Sequence, residues 1–267
     1  MIDGRLLLVG CGNMAGAMLR RWLEAGLRPE RVTVVSPGGR AMPDGVAVVP
    51  AVPPAADGAF EVIQLGLKPQ QLGQLRGGAL AGHAPQLLVS ILAGVEVQTL
   101  ASLCDARAVV RAMPNLPVAS GRGVVALHGA DGDGEAQALA DALMAPLGLV
   151  EWIDGEAQFD AVTALSGCGP GFVFRFVAAL AEAGAALGLP ADQALRLARA
   201  TVDGAAGMAL ASPDSPAVLA DRVASPGGST RKGLDVLDAD GALRRLMADT
   251  LAASARRNAE MAAEARG

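Results

Sequence analysis

Short unbroken apolar runs alternate with stretches of helical periodicity through the first half of the chain. Leu6-Leu7-Leu8-Val9 runs directly into glycines, the pattern of a strand buried on both faces of a parallel sheet. Met14, Met18, Leu19, Trp22 and Leu23 then recur along one helix face, and Gly26 stands where a helix C-cap belongs. Val32-Thr33-Val34-Val35 reads as a second strand, and further strands are predicted over residues 46–49, 62–65, 87–91, 108–112 and 124–127. The alternation predicts a doubly wound α/β sheet over residues 1–155. After about Ile153 no strand pattern remains. Val173, Phe176, Val177, Leu180, Gly184 and Leu187 step along one helix face, and Leu195, Leu197 and Val202 continue past Pro190. Leu243, Leu246, Met247 and Leu251 mark a last amphipathic helix, with Arg244, Arg245 and Arg256 on its polar side. An all-helical second domain is expected over residues 156–267. Small residues such as Ala178, Ala179, Ala183, Ala185 and Ala186 let helices approach closely, which predicts an intersubunit bundle.

Composition narrows the chemistry. Hydrophobic residues make up 52% of the 267 positions and charged residues 18%, a globular balance. The 22 Lys and Arg against 27 Asp and Glu give a net charge of −5, which offers no footprint for a nucleic acid. The three cysteines, Cys11, Cys104 and Cys168, lack the spacing of a zinc site or a disulfide framework and fit a reducing, cytoplasmic setting. The first ten residues lack the basic flank and long apolar stretch of a secretory signal, and the apolar stretch over 87–104 is broken by Gly94 and Glu96, so no membrane segment is expected. Two histidines, His83 and His128, sit in polar, loop-like contexts that predict surface positions. Asp131 and Asp133 lack the glycine and glutamate that a calcium loop requires, and no metal site is predicted. With two histidines and no tyrosine, the chemistry is expected to lean on a cofactor.

That cofactor is suggested by Gly10-Cys11-Gly12-Asn13-Met14-Ala15, a Gly-x-Gly-x-x-Ala turn set between the first strand and the first helix. Gly10 permits the tight turn, Gly12 lets backbone approach a pyrophosphate, and the small Ala15 lets helix pack on strand, with the helix N-terminus facing the phosphates. The placement predicts a Rossmann-type dinucleotide site. NAD-selecting versions carry an acidic residue at the end of the second strand. Here that stretch reads Ser36-Pro37-Gly38-Gly39-Arg40, so NADPH is the expected cofactor, with NADH as the alternative donor.

Five further segments are loop-like. Leu65-Gly66-Leu67-Lys68-Pro69, Ser90-Ile91-Leu92-Ala93-Gly94 and Arg111-Ala112-Met113-Pro114-Asn115 follow predicted strands, where open α/β sheets bind ligands. Ser166-Gly167-Cys168-Gly169-Pro170 precedes a long helix. Ser225-Pro226-Gly227-Gly228-Ser229-Thr230 opens another. The last is either an anion site built from bare helix N–H groups or a simple turn capped by Ser229 or Thr230.

Taken in order, these motifs resemble the 1-pyrroline-5-carboxylate reductase family from about Leu6 to Met261. The resemblance rests on Gly10 to Ala15, Lys68-Pro69-Gln70, Met113-Pro114-Asn115, the stretch from Asp160 to Gly167 running into Gly169-Pro170, and Ser225-Pro226-Gly227-Gly228 with Thr230. It implies NADPH-dependent reduction of a cyclic imine to proline, the last step of proline synthesis, by a Rossmann domain followed by a helical domain. That helical domain would build an intertwined homodimer, with a decamer as the higher assembly. By the same similarity Gly12, Asn13, Met14, Ser36 and Leu65 to Pro69, including Gly66 and Lys68, contact the dinucleotide. Ala93, Gly94 and Asn115 lie near its nicotinamide end. Ser225, Gly227, Gly228, Ser229 and Thr230 receive the substrate carboxylate and orient the imine nitrogen, against the partner subunit's Rossmann domain. The sequence departs from the family pattern at Leu116, Cys168, Gly171, Phe172 and Ser229, positions that bear on substrate preference. Two rival readings remain open: an NAD(P)H-dependent reductase of another cyclic imine or a small hydroxy acid, and a non-catalytic dinucleotide-binding protein. A hydroxy-acid reductase needs a Lys or His general acid, for which the helical half offers only Lys232 at a motif position.

Overall fold

The structure is a computed structural model and describes residues 2–75 and 77–266. The chain divides into two compact units, one of residues 1–168 with 254–267 and one of residues 169–253.

The first unit is built on an eight-stranded sheet in the order β3-β2-β1-β4-β5-β6-β7-β8. Its strands are β1 (Leu6–Val9), β2 (Val32–Val35), β3 (Ala47–Val49), β4 (Val62–Leu65), β5 (Leu87–Ser90), β6 (Ala108–Pro114), β7 (Gly123–Gly129) and β8 (Gly148–Trp152). All neighbours pair in parallel except β6 and β7. That reversal follows from the connection. Only residues 115–122 separate β6 from β7, too few for the crossover that a parallel pair demands. In β1, β2, β4 and β5 every residue is buried, which is why those segments read as continuous apolar runs instead of alternating ones.

Side chains of β1 alternate between two apolar layers. Leu6 and Leu8 face the layer holding Met18, Leu19 and Trp22 of α1 (Asn13–Glu24) and Leu143 and Met144 of α3 (Gly134–Met144). Leu7 and Val9 face the layer of Phe60, Leu72, Leu80 and Leu100, the last from α2 (Val97–Ala101). The fully buried Trp22 satisfies its indole by donating to the Leu143 carbonyl at 2.7 Å. Asp133 accepts from the Ala136 N–H at 3.1 Å as the N-cap of α3 and pairs with Arg107 at 2.8 Å, so this acidic turn is occupied by capping.

Both histidine expectations are corrected. His83 is 4% exposed, stacks against Phe60 at 6.0 Å and lies 3.0 Å from the Pro53 carbonyl. His128 is half-buried, edge-on to Phe159 and 3.1 Å from the Ile153 carbonyl. Their sequence neighbours are polar, but the partners that cover them are distant in the chain.

The end of the first unit contains α4 (Phe159–Val162), a π-helical turn over Thr163–Gly167, and the last residues of α9 (Ala242–Arg266). The second unit is helical: α5 (Gly169–Ala186), α6 (Ala191–Ala211), α7 (Pro216–Arg222), α8 (Ser229–Asp238) and the start of α9. Ser215 caps α7 by accepting from the Val218 N–H at 3.3 Å. Among the described residues, Glu156–Ala186 is the one stretch long and apolar enough to cross a membrane, and 11% of its apolar window is buried. Along α5, Phe174 and Phe176 are more than half exposed.

Candidate functional site

The glycine turn is shaped by close backbone approach. Gly10 has φ +85°, and a Cβ placed there would lie 2.9 Å from the Leu67 N. A Cβ on Gly66 would lie 2.7 Å from the Gly10 carbonyl oxygen and 2.8 Å from the Ala15 Cβ. The Gly10 N–H donates to Val35 at 3.2 Å and the Gly66 N–H to Val9 at 2.9 Å, so the ends of β1, β2 and β4 are laced together beneath the turn. Gly12 is different. It is the N-cap of α1, has φ −73°, is exposed, and a Cβ there would meet nothing within 4 Å. Exposed Asn13 and half-buried Met14 follow it, and no side chain caps the helix. The first N–H groups of α1 therefore have neither a partner within the helix nor a side-chain cap, the arrangement that takes a phosphate.

At the end of β2, the Ser36 Oγ accepts from the Arg40 N–H at 3.3 Å, and the Arg40 guanidinium donates to the Cys11 carbonyl at 3.3 Å. Arg40 thus sits against the glycine turn with Ser36 beside it, where a phosphate on the adenosine ribose would need a cation and a hydroxyl. Burial pushes the Cys11 thiol pKa up, against the lowering effect of Arg40 and Arg20, so Cys11 is a packing residue and not a nucleophile. Leu65 is buried at the end of β4, while Lys68 is exposed; the structure describes Pro69 by its backbone, as the opening of a 3₁₀ turn.

Farther along the same carboxyl edge of the sheet lies a cavity of about 490 Å³, lined by Ala93, Gly94, Met113, Phe159, Thr163 and Asn258 among others. This is the size range of small-molecule and cofactor pockets. The Asn115 side chain lies close by but is engaged at both ends: its amide donates to Ser166 at 3.0 Å and its oxygen accepts from the Val124 N–H at 2.8 Å. It holds the π-helical turn against the β6–β7 connection. Such turns concentrate at functional sites. Cys168 follows that turn and accepts from the Ser254 hydroxyl at 3.2 Å, a packed thiol.

A feature missed by sequence reasoning sits at the cavity wall. Arg111, buried inside β6, pairs with Glu156 at 2.6 Å and lies 4.1 Å above the Phe159 ring. The same Glu156 oxygen accepts from the Val97 N–H at 2.9 Å. Burial alone raises the carboxyl pKa of Glu156, but the Arg111 hydrogen bond, the Val97 N–H and the charges of Arg111 and His128 outweigh it and hold it below the usual range. The signal was present: a charged residue inside an apolar strand requires a partner.

In the second unit, α8 begins at Ser229 with Gly228 as N-cap and no side chain capping it. Of the two readings left open by the sequence, the turn capped by Ser229 or Thr230 is not what forms: the N-terminus of α8 carries no side-chain cap. Gly228 N donates back to the Ser225 carbonyl at 3.0 Å, and Gly227 has φ +72°, so the loop turns tightly and leaves the first N–H groups of α8 unpaired within the helix. Ser225, Gly227, Ser229 and Thr230 are exposed in the single chain.

The geometry agrees with comparison to known proteins. Residues 156–261 match the family model described as pyrroline-5-carboxylate reductase dimerisation, and residues 5–94 match NADP oxidoreductase, coenzyme F420-dependent. The pyrroline-5-carboxylate reductase of Pseudomonas aeruginosa is 36% identical, covering 98% of each chain, and that of Thermus thermophilus is 37% identical, covering 96% of this chain and 98% of the relative. Among solved structures, the pyrroline-5-carboxylate reductase of Coxiella burnetii superposes with a TM-score of 0.85 at 32% identity, covering 97% of this chain and 98% of that one. A glycine turn on a parallel sheet, a bare helix N-terminus in a helical dimerisation domain, and full-length likeness at this level converge: the chain belongs to the pyrroline-5-carboxylate reductase family.

Proposed function

We propose that this protein reduces 1-pyrroline-5-carboxylate to proline with NADPH, the closing step of proline synthesis. The observation that carries the reading is the uncapped opening of α8 at Gly228, in a chain whose other unit carries the dinucleotide turn. When bound, the reduced nicotinamide supplies a hydride to the carbon of the protonated C=N bond. The protein's own residues bind and orient. N–H groups at the start of α1 and α8 grip two anions, the cofactor diphosphate and the substrate carboxylate, each helped by the positive end of a helix dipole. Thr230 orients the imine nitrogen by a hydrogen bond. Ala93 and Gly94 shape the wall beside the nicotinamide, and Asn115 acts through the backbone it fixes. An iminium carbon is already electrophilic, so no nucleophile is required, and positioning supplies the rate.

NADPH oxidation with racemic pyrroline-5-carboxylate, run beside piperideine-carboxylate and a hydroxypyruvate-type carbonyl, tests the assignment. Turnover is expected with the first and is weak or absent with the carbonyl; preference for either alternative overturns the reading. Ser36→Asp places a carboxylate beside Arg40, where a ribose 2′-phosphate would be held, and the ratio of kcat/KM for NADPH over NADH is expected to fall about 10–100-fold, the worth of a charge-assisted hydrogen bond lost to repulsion. An unchanged ratio refutes the adenosine-end assignment.

The working form is a homodimer in the cytoplasm, with a decamer as its higher assembly. The exposed apolar flank of α5, with Val173, Phe174 and Phe176, lies in the segment that matches the dimerisation family, so a second copy covers it in place of lipid. All three cysteines are free thiols, as a reducing compartment keeps them. Light scattering is expected to give a dimer or a multiple of it, and an active monomer overturns the assembly.

A further inference from the structure

The segment that carries Ala93 and Gly94 runs from the end of β5 to the first turn of α2 and forms one wall of the 490 Å³ cavity. Its front is tied to the sheet: Ile91 N donates to the Leu65 carbonyl at 3.1 Å and Leu92 N to the Ser90 hydroxyl at 3.2 Å. Its rear is held differently. Glu96 is the N-cap of α2 but its own side chain makes no capping bond. The Val97 N–H, which a helix of this kind leaves unpaired, is taken instead by the Glu156 carboxylate from 59 residues away. The same oxygen accepts from the Arg111 guanidinium, and Arg111, itself in the cavity lining, is 7% exposed within β6 and fixed over Phe159. One carboxylate thus joins three elements: the rear of the loop, the strand β6, and the segment leading into α4.

We infer that Glu156 is a positioning residue for hydride transfer, holding the Ala93–Gly94 wall at its working distance from β6 through the Val97 N–H. The inference rests on the reading that this wall flanks the nicotinamide. The ionised form is the one that works, because only a carboxylate both balances Arg111 and accepts from two donors at one oxygen; a buried guanidinium left without it would draw Phe159 and β6 out of place. Diphosphate binding lies elsewhere, at the glycine turn. Releasing the clamp therefore affects geometry at the reacting end more than affinity.

Glu156→Ala, Glu156→Gln and the remote control Glu61→Ala form the test. Glu61 likewise bridges a distant backbone N–H, donated by Gly4 at 2.7 Å, but at the opposite edge of the sheet. In Glu156→Ala, kcat is expected to fall about tenfold or more, with KM for NADPH moving less than about threefold, because misplacement by an ångström is costly only in the transition state. The isotope effect with NADPH deuterated at the transferred position is expected to rise. Glu156→Gln keeps an accepting oxygen for the Val97 N–H but not the charge that balances Arg111, and is expected to recover only part of the rate. Glu61→Ala should lower thermal stability without moving kcat or the isotope effect. Equal losses in Glu61→Ala and Glu156→Ala, or a wild-type isotope effect in Glu156→Ala, overturn the inference. Amide hydrogen exchange reads the clamp independently of turnover. NADPH is expected to protect residues 93–97 in the wild type and to lose that protection in Glu156→Ala; equal protection in both overturns the clamp. Failure of the substrate reading shows separately, as a wild-type protein inert toward the imine with its exchange pattern intact.

Discussion

Thr230→Ala is expected to lower kcat about 100-fold while leaving the helix it opens and the affinity for NADPH unchanged, the scale seen when one preorganised donor is removed from a reaction site. Thr230 is the second residue of α8, and Ala is the better helix former, so the substitution removes a hydroxyl without weakening the element that carries it. The N-cap of that helix is Gly228, whose backbone geometry does not depend on the Thr230 side chain. The proposed carboxylate grip is built from N–H groups and is expected to survive. KM for the imine should therefore change less than kcat. A hydroxyl with an ordinary high pKa cannot serve as the proton source at neutral pH, and the role left to it is to fix the direction of the imine nitrogen. Thr230→Ser keeps that hydroxyl and should recover most of the rate. Steady-state kinetics beside NADPH fluorescence titration checks the pattern, and wild-type kcat in Thr230→Ala ends the assignment.

The parts of this protein that were readable in sequence are those where backbone geometry dictates residue type. The strands β1, β2, β4 and β5 are buried on both faces and so appear as unbroken apolar runs. The turn at Gly10 and the approach of Gly66 to Gly10 and Ala15 tolerate nothing larger, and the sequence carries that constraint openly. Elements whose environment comes from far away were harder to see. β8 alternates partly covered and exposed residues over five positions and includes Glu151, so its apolar content is too thin to stand out. His83 lies among polar loop residues and is buried by Phe60 and Pro53, more than twenty residues away. The Arg111–Glu156 pair spans 45 residues, a separation that local reasoning does not bridge. At α8 the residues alone were balanced between a capped turn and an anion site, because Ser and Thr suit either; family resemblance favoured the second, and the uncapped Gly228 agrees with it.

Two glycines of the nucleotide turn separate cofactor binding from folding, and their alanine variants should behave oppositely. Gly12→Ala adds a methyl that meets no atom of the chain within 4 Å, at φ −73°, where any residue is comfortable. Thermal and denaturant stability should be unchanged. The methyl does, however, stand at the N-cap of α1, where under the proposed assignment a diphosphate would approach the N–H groups. NADPH affinity should fall by about 100-fold, roughly 2.7 kcal/mol. Gly66→Ala pushes a methyl to 2.7 Å from the Gly10 carbonyl oxygen and 2.8 Å from the Ala15 Cβ, neither of which is the end of a flexible side chain. Relief requires β4 to move away from the turn, against the bond from Gly66 N to Val9, so this variant should lose about 1–3 kcal/mol of stability as overpacked sites do. Its NADPH affinity falls as a consequence of the displaced turn. Urea unfolding and NADPH titration on both proteins distinguish the cases. Because Gly12 contributes nothing to the fold that alanine would not, a Gly12→Ala protein that binds NADPH as well as the wild type leaves the exposed face of α1 without a ligand, and the dinucleotide assignment falls with it.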